Sequence, residues 1–207
     1  PILSSSINKD AIYWMLKKVS SDQRVIMPTT NSAYGSGDEN NFCDENSPLN
    51  PLSLYARDKV AVESVLMQNK NATSFRLATV FGISPRMRLD LLVNNFTFRA
   101  VTDGFIVLFE GHFKRNYIHV RDVSSAFQFA IENPEKSRGE IFNVGLSEAN
   151  ISKLELCERI KKLVPSFTYV ESQIGSDPDK RNYVVSNAKI EKAGFKRFAS
   201  FKGTRWL

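Results

Sequence analysis

Apolar and polar positions alternate along this chain at two periods. Ile7, Ala11, Trp14 and Met15 fall near helical spacing and predict a helix over residues 4–19. Arg24-Val-Ile-Met then opens a short strand over 24–29, tipped by the hydroxyl residues Thr29 and Thr30. From Tyr34 to Pro51 the chain is rich in Gly, Asn, Asp and Pro, which is loop chemistry. Val60, Val62, Val65 and Leu66 mark the packing positions of a helix from about Ser53 to Gln68. Phe75 to Val80 reads as an apolar strand that Gly82-Ile-Ser-Pro breaks. This strand–helix–strand order implies an α/β fold, its parallel sheet joined by crossover helices.

Beyond Ser84 the pattern is less regular. It predicts a helix over 89–101, a strand over 105–109 and another over 117–120. Asp122 is the expected N-cap of a helix over 123–131, which Asn133-Pro134 stops. A strand follows at 141–144, and Ser152 and Glu155 form a capping box that opens a helix over 154–163. Ser186 is expected to cap a last short helix over 187–193, ended by Gly194. No internal repeat or low-complexity tract is present.

Composition narrows the function classes. With 207 residues, 42% of them apolar, the chain holds a real core in one domain or two small ones. No apolar run reaches membrane-spanning length, and the opening PILSSSINKD has neither the basic nor the apolar part of a signal peptide, so no membrane is expected as partner. Cys43 and Cys157 match neither a disulfide framework nor a zinc spacing, which fits a reducing cytoplasm. His112 and His119 have no clustered ligands, so no metal is expected. The net charge of +6 is spread along the chain among acidic residues, which argues for a solvated surface rather than a nucleic-acid partner.

The residues best suited to chemistry lie between Val25 and Lys59. Tyr55 and Lys59 are four apart and share one helix face, so a phenol and an ammonium enter the same space. With the hydroxyl of Thr30 at a neighbouring strand end, this set can take a proton from an alcohol while a hydride leaves the same carbon. A free tyrosine has a pKa of about 10, so a base near neutral pH needs a fall of roughly 3 units, about 4 kcal/mol. Nearby positive charge acts in that direction. Tyr13 and Lys17 repeat the spacing, but no hydroxyl-tipped strand precedes them, and Tyr13 reads as a core or interface residue.

These residues carry a resemblance to the extended short-chain dehydrogenase/reductases, specifically the NAD-dependent nucleotide-sugar epimerases and dehydratases. Thr30 to Gly35 and Tyr55 to Lys59 match the family's two catalytic segments, and RLATVFG (76–82), SPRMR (84–88), LFEGHFKRNYIHVRD (108–122), IFNVG (141–145) and DPDKRNYVVSNAKIEKAGF (177–195) follow in the family's order. The resemblance implies the C-terminal portion of a Rossmann-like parallel sheet with a smaller mixed α/β substrate-binding lobe. Residues 1–83 would then be the catalytic half and 84–207 mainly the substrate lobe, with 123–145 returning to the sheet. The family's glycine-rich turn, whose backbone N–H groups hold the dinucleotide pyrophosphate, is absent from these 207 residues. The chain is therefore expected to be part of a longer protein and inactive alone.

By the same resemblance NAD is the cofactor, with Tyr55 and Lys59 binding it and Ala78 and Val80 facing the nicotinamide through their backbone. Thr79 stands where several epimerases have Asn, at the substrate. Arg115 and Arg181 match arginines that contact the nucleotide diphosphate, and Asn94 an asparagine on a phosphate; Arg86 and Arg88 are further candidates, and Phe109 is a candidate to face the base. His119 and Asp122 read as structural. Dehydratases commonly carry Asp and Glu after the catalytic Thr, where this chain has Asn31 and Ser32, and the Cys and His of fucose-synthase-like members are not in place. This leaves epimerisation of a nucleotide-diphosphate sugar, UDP-linked by preference, through a transient 4-keto intermediate. The alternatives are a nucleotide-sugar reductase or dehydratase, or a non-catalytic binding fragment. Helices 4–19 and 53–68 match those through which family members form homodimers.

Overall fold

A computed structural model describes residues 2–35, 42–175 and 181–198 of the chain. Its first helix runs through three consecutive segments: α1 (Ile2–Ser5), a π turn (Ser6–Asp10) and α2 (Ala11–Leu16). It stops short of the expected 19, with Lys17 as its C-cap, where the Lys18 N–H bonds Met15 O three residues back and tightens the last turn. β1 (Val25–Thr30) leads into a 3-10 turn (Asn31–Tyr34), a two-residue strand β2 (Phe42–Cys43) and α3 (Leu54–Leu66). Ser53 caps α3, its Oγ accepting from the Ala56 N–H. β3 (Ala72–Leu77), β4 (Thr79–Phe81) and α4 (Leu92–Thr102) come next, followed by β5 (Phe105–Leu108) and β6 (Lys114–His119). α5 (Val120–Glu132), α6 (Pro134–Ser137), β7 (Glu140–Val144), β8 (Asn150–Ser152), α7 (Lys153–Leu163), β9 (Thr168–Glu171), β10 (Val184–Val185) and α8 (Ala188–Ala193) complete the described chain. Residues 36–41 of the expected loop and 177–180 of the DPDKRNY motif lie outside the described residues.

The central sheet is parallel, in the order β1-β3-β7. Successive side chains on a strand point to opposite faces, and β3 uses both. Ala72 joins Met27, Val62 and Leu66 in a cluster beneath α3, against which Ile12, Tyr13 and Leu16 also pack. Phe75 joins Phe142 with Ala126, Phe129 and Ala130 of α5 in a separate cluster. A third core holds Val93, Ile106, Leu108, Tyr117, Leu156 and Ile160, between α4, α7 and the shorter strands. Among the described residues no helix is long and apolar enough to cross a membrane.

Several local expectations are corrected. The run Phe75–Val80 is two strands: the Ala78 N–H still donates to Val144 O at 2.9 Å, but from Thr79 the chain pairs with Tyr117 on β6. Thus one continuous extended stretch serves two sheets. The N-cap of α5 is His119, whose Nδ1 accepts from the Arg121 N–H at 3.2 Å. Asp122 lies buried within the first turn and accepts from the Phe198 N–H at 2.6 Å. The N-cap of α8 is Asn187 rather than Ser186. The capping box of α7 is present, with Ser152 Oγ accepting from the Glu155 N–H and the Glu155 carboxylate from the Ser152 N–H.

Candidate active site

The C-terminal end of β1 and the first two turns of α3 open onto one cleft of about 1050 Å³. That lies at the top of the ~300–1,000 Å³ range of small-molecule sites, room for a ligand larger than a simple sugar. Thr30, Tyr55, Lys59, Ala78, Thr79, Val80 and Arg181 all line it. The strand-to-strand switch at Ala78 is what turns β4 toward the cleft and puts Thr79 and Val80 on its wall.

Each group has a physical reason for its place. Thr30 ends its strand in extended backbone and caps the following 3-10 turn, its Oγ1 accepting from the Ser32 N–H at 3.1 Å; its own hydroxyl proton remains to donate. The Lys59 Nζ sits 5.9 Å from the centre of the Tyr55 ring and donates to Pro28 O at 3.2 Å. Arg181 Nη1 donates to Ser32 Oγ, tying the segment before β10 to the 3-10 turn.

The electrostatics differ from the expectation in one respect. Partial desolvation is the largest influence on the Tyr55 phenol, although the residue is well exposed, and pushes its pKa up, while Arg181 and Arg88 pull it down. Burial also lowers the Lys59 ammonium below its usual range. The cations that act on the phenol in this geometry are therefore the two arginines, of which Arg88 is only a secondary candidate by sequence. Arg88 lines the cleft and is held by Asp90, with Nη2 2.5 Å from Oδ2. Three cations and no carboxylate are among the described residues of the cleft wall, a field that favours an anionic ligand.

Other candidates lie elsewhere. Asn94 is buried near the start of α4, where its Oδ1 accepts from the Gly82 N–H at 3.0 Å and its Nδ2 donates to Arg88 O at 3.0 Å. It thus braces the loop that carries Arg88. Arg115 is 2% exposed on β6, opposite Ile151, and is not part of the cleft wall. Arg86 is exposed and away from the wall. Tyr183, beside Arg181 on the wall, lies in the 177–195 segment but no spacing singles it out; its N–H donates to Lys114 O on β6, just before β10 pairs with β2.

The fold and this cleft define a class, an α/β protein built on a parallel sheet with a hydroxyl, phenol and ammonium at its C-terminal edge. Residues 7–145, more than half of the chain, match the NAD dependent epimerase/dehydratase family, and the chain belongs to that family. It is 30% identical over 154 residues to the ADP-L-glycero-D-manno-heptose-6-epimerase of Brachyspira hyodysenteriae, covering 69% of this chain and 47% of that protein. The structure of dTDP-glucose 4,6-dehydratase from Bacillus anthracis, in complex with NAD, matches with a TM-score of 0.79 at 20% identity, over 95% of this chain and 64% of that one. UDP-glucuronic acid 4-epimerase from Bacillus cereus, in complex with UDP-glucuronic acid and NAD, matches with a TM-score of 0.77 at 20% identity, over 93% and 63%. These likenesses show the fold, which is Rossmann-like. The chain spans between 34% and 47% of the length of the curated relatives it matches.

NAD is the family's cofactor. The donors of Tyr55 and Lys59 suit a ribose, and the apolar wall of Leu77, Ala78 and Val80 suits a flat ring. This donor set fits the nicotinamide end of the dinucleotide; the chain's ten glycines include no turn for its pyrophosphate.

Proposed function

We propose that this chain supplies the proton-handling and sugar-facing part of an NAD-dependent epimerase acting on a nucleotide-diphosphate sugar, UDP-linked by preference. The observation that carries the reading is the meeting of Thr30, Tyr55 and Lys59 in one cleft whose described wall bears cations and no carboxylate. Tyr55 takes the proton of the sugar C4 hydroxyl, and Thr30 hydrogen-bonds the same oxygen and relays its proton. Lys59 and Tyr55 hold the ribose of the nicotinamide, with Ala78 and Val80 beside the ring. NAD, when bound, supplies the hydride acceptor for oxidation at C4 and the donor for reduction. Thr79 meets the sugar, and Arg181 supplies a planar guanidinium for the diphosphate. For Arg115 and Asn94 the same assignment requires the diphosphate to reach beyond the cleft wall, toward β6 and the start of α4.

The absence of an acid among the described wall residues separates this reading from a dehydratase, which needs further acid–base groups beside the sugar. Asn31 and Ser32, the two residues after Thr30, supply none. The working enzyme is a homodimer in the cytoplasm. The apolar Ile2, Leu3, Ile7 and Trp14, all more than half exposed along α1, the π turn and α2, support an interface there, and two buried free cysteines suit a reducing compartment. We also assign residues 1–83 to the catalytic half and 84–207 mainly to the substrate lobe, with 123–145 returning to the sheet.

The test incubates the whole protein that carries this chain with UDP-, GDP- and dTDP-sugars in the presence of NAD, separates the products by chromatography and reads their mass. A new epimer of unchanged mass supports the proposal, whereas a product lighter by one water means a dehydratase. Calorimetry on the 207-residue chain is expected to show UDP binding and little NAD binding, and no turnover.

A further inference from the structure

Directly behind the cleft lies a charged pair that the chemistry above does not use. Arg76 on β3 and Glu63 on α3 are 4% and 5% exposed. Arg76 Nη2 donates to Glu63 Oε1 at 2.6 Å and Nε to the same oxygen at 3.0 Å. Glu63 Oε2 also accepts from Ser74 Oγ at 2.6 Å and from Thr29 Oγ1 at 3.1 Å. On its other side, Arg76 Nη1 donates to Tyr34 Oη at 2.9 Å, and that hydroxyl donates to Asn143 Oδ1 at 2.7 Å. One ion pair thus joins α3, β1, β3, β7 and the 3-10 turn.

Its placement relative to the catalytic set is specific. Glu63 follows Lys59 by four residues and Tyr55 by eight, along the same side of α3. Thr29, which donates to it, is the residue before Thr30. The carboxylate therefore clamps the helix bearing the phenol and ammonium to the strand bearing the hydroxyl. A buried ion pair is a poor source of net stability, since an apolar pair of similar volume commonly serves as well, but its directional bonds fix one arrangement of the elements it joins. We infer that Glu63 and Arg76 are positioning residues, holding Tyr55 and Lys59 in register with Thr30. The inference rests on the assignment of Tyr55 as base, but its test does not.

The decisive readout is the titration of the Tyr55 phenol in the whole protein. Phenolate absorbance is followed against pH for the wild type and for Glu63→Leu/Arg76→Met. Each curve is corrected by the same protein with Tyr55→Phe added, which isolates the one phenol. The groups facing Tyr55 are Arg181, Arg88 and Lys59, and all three remain in both proteins. The apolar double variant is expected to melt within a few degrees of the wild type, yet with its Tyr55 midpoint displaced by about half a unit or more as helix and strand lose register. With UDP-galactose as probe, kcat falls about tenfold or more while KM changes little, as a misplaced reacting group requires. A Tyr55 midpoint that stays at the wild-type value in a stable double variant overturns the inference, as does recovery of kcat together with stability. If the double variant does not fold, Thr29→Val, which removes the hydroxyl through which the carboxylate holds β1 and leaves the charges paired, takes its place: a displaced Tyr55 midpoint supports the inference and an unmoved one overturns it. A wild type that converts no nucleotide sugar defeats the proposed function, while the phenol titration still decides the positioning role.

Discussion

Replacing Arg76 with methionine puts a number on how burial changes the worth of an ion pair. The wild-type guanidinium makes contacts to Glu63, to Tyr34 Oη and to Glu45 O, with its closest N–O distance 2.6 Å. Arg76→Met leaves the Glu63 carboxylate with only the Ser74 and Thr29 hydroxyls as donors, still out of water. Breaking a buried pair in this way costs about 3–5 kcal/mol, chiefly because the remaining charge is uncompensated. For a chain of this size that lowers the thermal midpoint by about 6–20 °C. The molecule carries its own control. Lys189 and Glu140 are nearly as close, at 2.8 Å, but their side chains are 40% and 42% exposed. Glu140→Gln is therefore expected to cost no more than about 1 kcal/mol. Both variants are melted beside the wild type by circular dichroism at one pH and salt concentration. If Arg76→Met shifts the midpoint no further than Glu140→Gln, the account of a tightly held buried pair is refuted.

Two further outcomes are expected from the same structure. Gly82 has φ of +116°, and a Cβ there would lie 2.4 Å from His119 Nε2, so Gly82→Ala adds backbone strain and displaces the cap of α5, at about 2–4 kcal/mol together; an unchanged thermal midpoint contradicts this. Burial holds the His119 imidazole below its usual pKa, with Arg121 acting the same way and Asp122 against it, so the fold favours the neutral ring, and its contribution to stability is present above about pH 6.5 and lost as pH falls through the folded pKa. His119→Asn, which keeps a capping oxygen and does not titrate, is expected to gain on the wild type in melts below that pH and to run parallel above it.

How much of this was legible in the chain depended on how local the determining physics is. The capping box of Ser152 and Glu155 and the Ser53 end of α3 involve residues three apart, and sequence finds them. Tyr55 and Lys59 need only helical spacing, and the cleft does receive both, with Thr30. The strand switch at Ala78 was hidden because no Gly or Pro interrupts Phe75 to Val80; what divides the segment is a change of partner, from Val144 to Tyr117. Asp122 looked like a cap by residue type, yet Phe198, far along the chain, is its partner. β9 was missed because its side chains are mostly exposed and it gains its identity only beside β5. Arg88 gained weight from lining the same cleft as Tyr55 and acting on its phenol, which no spacing in the sequence reveals, and Glu63 with Arg76 form a pair across two elements.

The phenol of Tyr55 is the group on which the functional reading turns, and removing its oxygen is the most direct trial. Tyr55→Phe in the whole protein is expected to leave the thermal midpoint within a few degrees, since the residue is 42% exposed, and to abolish nucleotide-sugar turnover. Tyr13→Phe, which alters the tyrosine of the repeated spacing on α2, is expected to retain it. A Tyr55→Phe protein that turns over at the wild-type rate would contradict the account.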